Sequence, residues 1–426
     1  MAVTHHKDGG EMLRSNGLRR LAPIAAAMAL VVALCAANAS VSSAKAVTAT
    51  AAKAACGVAG RGAAPADPEK VLAALPQTTK NYYYGFGNAV DKSYWSHFAP
   101  KRKKFVVGVS FNALSGPFNT GLYEALLASL KANKNISKVI AYTAATSTDI
   151  AGQIQQMQSL IQQKVNLIVE LAAAGPPMVG VAKQAAKAGI PFVSLINYVP
   201  TSYAISVTPN IWQDVSEPTT SILNGIGKTG NVLLVHGIPG TTTDSTSMDY
   251  FNQLVDACPN VTIAGSITGD YTPPVVASAA LQFLSTHPQP IAAVLQVGTM
   301  SSAIMQAFQQ VGRPMPSVLD IGAQVGSVAY WHDNESNGYK GGGSAGGIGS
   351  LVSEATSVIT RVLAGQGPKI NAMVWYQPVI TAKNLSLFYT PGTSLATQGT
   401  VDNPTSTYLP NSVLNSLFDH PSRKLQ

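Results

Sequence analysis

From Lys101 onward, short apolar runs alternate with longer stretches whose apolar residues recur every three or four positions. The runs "KFVVGVS", "SKVIAYTA", "VNLIVELAA" and "IPFVSLI" read as buried strands. Between them "NTGLYEALLASLKAN", "STDIAGQIQQMQSLIQQK" and "PPMVGVAKQAAKAG" read as helices, and in the second of these Ile154, Met157, Leu160 and Ile161 cover one face. After "TSYAISVTPN" the alternation restarts, with a helix from Trp212 to about Ile226 and then the strands "NVLLVHG", "VTIAGSIT", "IAAVLQVG" and "PSVLDIG" separated by helical segments. Short apolar strands joined by helices form βαβ units on a mostly parallel sheet, so the pattern predicts an α/β fold of two Rossmann-like lobes. A glycine-dense stretch, "YWHDNESNGYKGGGSAGGIG", precedes the helix "SLVSEATSVITRVLAGQG" and the strand-like "AMVWYQPVITAKN". These predict a late return of the chain to the first lobe and a hinge of several crossings. The resulting division is an N-terminal extension at 47–103, a first lobe at 104–207 plus about 347–375, a second lobe at 208–346 plus about 376–390, and a turn-rich tail at 391–426.

Composition narrows the setting. Charged residues make up 11% of the 426, far below the roughly 25% usual for soluble domains, which leaves hydroxyls, amides and backbone to carry solubility. Of the net charge of +8, part comes from five cationic residues against two acidic ones before residue 47. The remainder is spread without a basic stripe, which argues against a nucleic-acid partner. The first 46 residues have a basic front at Arg14, Arg19 and Arg20, an apolar run from Leu21 to Ala37, and the small-x-small ending Ala44, Lys45, Ala46. This is the build of a signal peptide, and it predicts export to the periplasm or the cell exterior. The same run is close to the lower spanning length of about 17 residues, so a retained anchor and membrane association is the competing reading. Cleavage removes Cys35 and leaves Cys56 and Cys258. In an oxidising compartment the two can pair; lipid attachment at Cys56 is the alternative, although "KAAC" lacks the leucine expected before such a site.

Motifs for chemistry are sparse. "GIGKTG" (225–230) fits G-x-G-x-x-G, but a helix runs into it and a strand leaves it, the reverse of a phosphate-binding loop, so its glycines read as a helix end and turn. The aromatic group around "NYYYGFG" and "SYWSHF" reads either as a ligand rim or, more economically, as an extension packed on the body. The histidines have no metal-ligand spacing, "HDNE" (332–335) reads as a solvated loop, and no Gly-x-Ser-x-Gly elbow is present. The expectation is therefore a non-enzyme without cofactor or metal. Informative positions lie in the loops at the carboxyl ends of the strands, where open parallel sheets keep their sites. These loops are rich in Gly, Ser, Thr, Asn and aromatics and nearly free of fixed charge, which suits a small neutral ligand held by hydrogen bonds and ring faces. The candidates are Phe118, Asn119, Asn197 and Tyr198 in the first lobe. In the second they are Asp244, Ser245, Tyr271, Thr299, Gln324 and Trp331, with Trp212 as a further aromatic wall.

At those loops the chain resembles the ribose-binding and related members of the type I periplasmic solute-binding family, which feed ABC importers. The resemblance rests on "VVGVSFNALSGPFNTGLYEAL", "QIQQMQSLIQQKVNLIVELAAAGPPMVGVAKQAAKAGIPFVSLIN", "NVLLVHGIPGTTTDSTSMDYFNQLV" and "LQFLSTHPQPIAAVLQVGTMSSAIMQAFQQVGR", within about 105–385. It implies ligand capture by closure of two hinged lobes, an ABC permease in the membrane as partner, and a protein acting as a monomer. Carried over residue by residue, the family's Asn-Pro-Phe-Phe segment falls on "GPFN", with Phe118 as ring platform and Asn119 in the second aromatic place. Its Asp-Arg pair falls on Ile196 and Asn197, and its second-lobe arginine on Ser245. The Asn-Asp pair falls on Gly298 and Thr299, the later aspartate on Gly322, and the crossover glutamine on Gly346. Nearly every charged sugar clamp is thus replaced, so the expected ligand is a sugar or sugar-like molecule or, alternatively, a less polar or aromatic compound. A ligand-sensing domain and a secreted enzyme on the same scaffold are the rival functions.

Overall fold

The structure is a computed structural model that describes residues 55–425. The signal-peptide expectation for 1–46, with Cys35, and the first residues of the extension lie outside the described residues. After a short helix α1 (Gln77–Lys80), the first lobe is built from β1 (Phe105–Phe111), α2 (Pro117–Ala132), β2 (Ile136–Thr143), α3 (Ile150–Gln162), β3 (Leu167–Leu171), α4 (Val179–Lys187), β4 (Phe192–Leu195) and β5 (Ala204–Pro209). The second follows with α5 (Ile211–Gly225), β6 (Gly230–His236), α6 (Thr242–Asp256), β7 (Val261–Thr268), α7 (Pro273–Thr286), β8 (Ala293–Gln296), α8 (Ser301–Gln310), β9 (Ser317–Ile321), α9 (Val325–Asn334) and β10 (Gly342–Ser344). The chain then returns through α10 (Ile348–Leu363) and β11 (Ala372–Trp375) to the first sheet, gives β12 (Val379–Ile380) to the second, and ends with α11 (Asn411–Ser416).

The first sheet runs β11-β5-β4-β3-β1-β2 and is parallel throughout. The second runs β12-β10-β9-β8-β6-β7, parallel except for the antiparallel β12. Strands covered on both faces must be apolar along their length, and β3, β4 and β8 are buried at every position. "GIGKTG" does end α5 and turn into β6, with Gly227, Lys228 and Gly230 at positive φ.

Three successive crossings form the hinge: β5 to α5, β10 to α10, and β11 to β12. "AMVWYQPVITAKN", which the pattern presents as one strand, is split by the third of them, because Trp375 ends a strand of one sheet and Val379 begins a strand of the other. The crossings bond to one another. The Asn210 N–H donates to Trp375 O at 2.6 Å, the Gln377 N–H to Asp214 Oδ1 at 2.6 Å, and the Ala345 N–H to Pro378 O at 2.9 Å.

Both terminal segments are part of the body. Tyr83, Phe86 and Trp95 of the extension are buried in the core of the first lobe, so this aromatic group packs on the body rather than rimming a ligand. Cys56 and Cys258 form a disulfide that ties the start of the extension to the end of α6. The turn-rich tail is packed on the body as far as residue 425: Leu409, Val413, Leu414, Leu417 and Phe418 are buried in the same first-lobe core. Among the described residues, no helix is long and apolar enough to cross a membrane.

Candidate functional site

The carboxyl ends of both sheets open onto one cavity of about 180 Å³ between the lobes. From the first lobe, the turn after β1 contributes Asn112 and the start of α2 contributes Phe118 and Asn119, positions set by Pro117 opening the helix. Ala172 follows β3, and Ile196 and Asn197 follow β4. From the second come Ile238 and Thr241 after β6, Asp270 and Tyr271 after β7, and Gly298 and Thr299 after β8. The two lips meet: a Cβ placed on Gly116 of the first lobe would lie 3.2 Å from Tyr271 O of the second.

Backbone strain concentrates on this surface. Of the eight non-glycine residues at positive φ among the described residues, Ile196 (67°), Asp270 (52°), Tyr271 (53°) and Thr299 (51°) line the cavity. A β-branched residue in this region is costly and persists only where its surroundings hold it. The Ile196 N–H donates to Val207 O, while Ile196 O accepts from Thr208 Oγ1 at 2.7 Å. The Tyr271 ring lies against Gly237, where a Cβ would come within 2.0 Å of it; only glycine allows that approach.

Among the described residues no lysine, arginine or histidine lines the cavity, and the ionisable carboxyls there are Asp214 and Asp270. Asp214 sits in the first turn of α5, and burial pushes its carboxyl up to about 8, against the lowering effect of the bond from the Gln377 N–H. At neutral pH it is therefore mainly an uncharged acid that can donate as well as accept. Gln377 in turn accepts from the Gly322 N–H at 3.1 Å and from Ser344 Oγ at 2.9 Å. Its amide lies where a side chain on Gly346 would fall, so a glutamine does stand at the hinge, supplied by the third crossing instead of the second. The Tyr271 side chain is partly buried with its hydroxyl shielded from solvent, which raises its phenol well above the ordinary value.

Of the residues singled out from the sequence, Phe118, Asn119, Asn197, Tyr271 and Thr299 are brought together on the cavity wall. The others are placed elsewhere. Tyr198 turns into the first lobe, donating to Ala89 O at 2.6 Å and meeting Phe86 edge-on. Asp244 lies beneath the β6 turn, where it accepts from the Gly237 N–H at 2.8 Å and pairs with His236 Nδ1 at 3.0 Å. Ser245 Oγ is spent on Thr241 O within its own helix. Gln324 Oε1 accepts from the Ser302 N–H and from Ser301 Oγ at the start of α8. Trp331 packs on Gly341 beside Ala345 and Ile380, and Trp212 packs on Gly62 and Gly85. A side chain one turn along a helix from a rim loop points into the lobe, and position in sequence alone does not show this. Wall residues that went unnoticed include Asn112, Asp214, Trp375 and Tyr408. Trp375 lies inside a stretch that the pattern presents as one strand, and Tyr408 had no signal, since it returns from the far end of the chain. His332 of "HDNE" stacks on Tyr389, and among the described residues no group of three metal-ligating side chains is brought together.

Residues 107–342 match the model of the periplasmic binding protein domain. The chain belongs to the periplasmic binding protein family. Its members bind solutes and do no chemistry on them, and the two-lobed, three-crossing arrangement is the type I form of that fold. No curated protein matches the chain. Among solved structures it is similar to an ABC transporter solute-binding protein from Thermobispora bispora, at 20% identity and TM-score 0.60, over 68% of this chain and 88% of that one. It is similar to the binding component of the arabinose ABC transporter from Shewanella, solved with arabinofuranose, at 20% identity and TM-score 0.57, over 66% and 93%. A binding protein from Actinobacillus succinogenes with bound D-allose matches at 14% identity and TM-score 0.55, over 67% and 100%. At these identities the likeness is one of fold.

Proposed function

We propose that this protein is the extracytoplasmic solute-binding component of an ABC importer, and that it takes up a small neutral ligand, a sugar or sugar-like molecule, between its lobes. The observation that carries the reading is the interlobe cavity itself, rimmed by side-chain amides and hydroxyls at Asn112, Asn119, Asn197, Thr241 and Thr299, with no cation on its wall among the described residues. Such a wall offers nothing to a phosphate or carboxylate and can satisfy hydroxyl groups. The solved relatives named with arabinofuranose and allose point to the same ligand class. A ligand touching both lips stabilises the closed form by its differential affinity for it, and closure gives a membrane permease a shape distinct from the empty protein. The absence of charged clamps and the apolar share of the wall favour a second reading, a less polar or aromatic neutral compound.

Native mass spectrometry of the protein as purified, followed by a thermal-shift panel of sugars, inositols and apolar neutral compounds, tests the assignment. Stabilisation by at least one neutral compound is expected, and by no phosphorylated or carboxylated one. Phe118→Ala should weaken that ligand by about 1–3 kcal/mol, as for a desolvated aromatic anchor. A folded protein that responds only to anions would end the reading.

A further inference from the structure

The hinge side of the cavity is made by residues beyond the family match. Leu351, Trp375, Gln377 and Tyr408 all line it, while the match stops at 342. The Tyr408 ring stacks on Trp375, with centroids 4.3 Å apart and planes 9° apart, and its hydroxyl donates to Gly347 O at 3.3 Å. The segment that delivers Tyr408 is held by both lobes. On the second, the Val325 N–H donates to Gly399 O and the Val401 N–H to Ala323 O. On the first, Asp402 Oδ1 accepts from the Ser350 N–H at 3.0 Å, and the Leu409 N–H donates to Glu354 Oε2 at 3.0 Å.

Two further observations concern what this floor would meet. Trp375 Nε1 and Asn112 Oδ1 are buried at cavity-lining residues without a hydrogen-bond partner; buried polar groups are normally paired, so each is an opening for a ligand group. Around them the wall is chiefly apolar, with Leu171, Ile196, Ile211, Ile238 and Ile321, and the ionic clamps that would orient a bare polyol are missing.

Resting on the solute-binding reading above, we propose that Tyr408 is a ligand-contact and specificity residue. With Trp375 it makes the site select a neutral amphipathic ligand, a hydroxylated ring carrying an apolar substituent, as in an aryl glycoside, over the bare polyol. The hydroxyl groups meet the amide rim, and the substituent lies against the aromatic floor, where ring contacts strengthen its burial.

Calorimetric titration of the full chain with phenyl and methyl glycosides of glucose, arabinose and allose, beside the free sugars, tests this. The phenyl compounds are expected to bind about tenfold or more tightly than their methyl counterparts, with the preference lost in Tyr408→Leu and kept in Tyr408→Phe. Equal binding of phenyl and methyl compounds, or a preference that survives Tyr408→Leu, overturns the proposal while leaving solute binding intact. Should Tyr408→Leu fail to fold, tryptophan emission decides. A ligand-induced change that disappears in a binding-competent Trp375→Phe supports contact with the floor, and one that persists unchanged overturns it. No response to any of these compounds by folded wild-type protein ends the proposal and the sugar reading together, whereas a response in the wider thermal-shift panel alone ends only the proposal.

Discussion

The two terminal segments both span the lobes, yet they do different work. The N-terminal one is fixed to the second lobe by the Cys56–Cys258 disulfide and to the first by buried aromatics, and none of its described residues line the cavity. The C-terminal one has no covalent tie; it is held by backbone bonds and two carboxyls, and it places Tyr408 in the cavity wall. A strap that only supports the body can be anchored permanently. The one that we propose touches the ligand is anchored by hydrogen bonds, one of them to the buried carboxyl of Glu354.

The sharpest break of this comparison is Tyr83→Ala. Tyr83 is 1% exposed and donates to Ala372 O at 2.7 Å, so truncation leaves a cavity and an orphaned carbonyl. A loss of about 3–5 kcal/mol is expected, read as a lower Tm, with ligand affinity of the folded fraction unchanged. Weakened affinity at full stability would mean that the N-terminal strap also serves the site. The disulfide comes next: replacing both cysteines by serine frees a closed loop with a sequence separation of 202 and should cost about 2–5 kcal/mol, again in Tm and not in affinity.

Acidity separates the straps further. Glu354, which accepts from the Leu409 N–H and has its other oxygen unpaired, is pushed by burial from 4.5 to about 7; backbone bonds from Leu409 and Tyr408 and the charge of Arg361 act against this. Tyr82 and Tyr408 are the other titratable groups facing it. Between about 4.5 and 7 the folded protein keeps a proton that the unfolded chain has released. Its contribution is therefore complete below 4.5 and is lost as pH rises through 7, on the order of 3 kcal/mol in all. Asp214 and Glu170, each pushed to about 8 by burial, slope the same way. Tm measured from pH 5 to 9 should fall, and Glu354→Gln should flatten the part below pH 7. An unchanged profile in that variant would show that the C-terminal anchor does not titrate.

Much of this was legible in the chain. Alternating strand and helix patterns give both lobes, because strands buried on two faces must be apolar throughout, and the rim loops follow from the direction of the strands. The hinge floor was not legible. Trp375, Gln377 and Tyr408 are separated in sequence from every rim loop, and only the spatial return of the chain joins them. The burial of the tail was not read from the sequence, although Leu409, Val413, Leu414, Leu417 and Phe418 repeat at helical spacing and announce a buried face. Ser245 was put forward because the family's second-lobe arginine falls on it and Asp244 for its rim loop, whereas in the first turn of α6 Ser245 bonds to backbone and Asp244 to the Gly237 N–H and His236.

The smallest effect belongs to Asp402. Its Oδ1 accepts from the Ser350 N–H at the start of α10, and Cβ atoms on Gly347 or Gly349 would collide with it, so the carboxylate lies against the positive end of a 16-residue helix. Such a charge is worth about 0.3–1 kcal/mol at a helix N-terminus, and the bonds at Val401 and Leu409 hold the segment without it. Asp402→Ala should therefore lower Tm only slightly, while any change it makes in ligand affinity should follow the displacement of Tyr408 and vanish in a Tyr408→Leu background. A double-mutant cycle in which the two effects simply add would show that Asp402 steadies the helix alone and that the strap reaches the ligand by some other support.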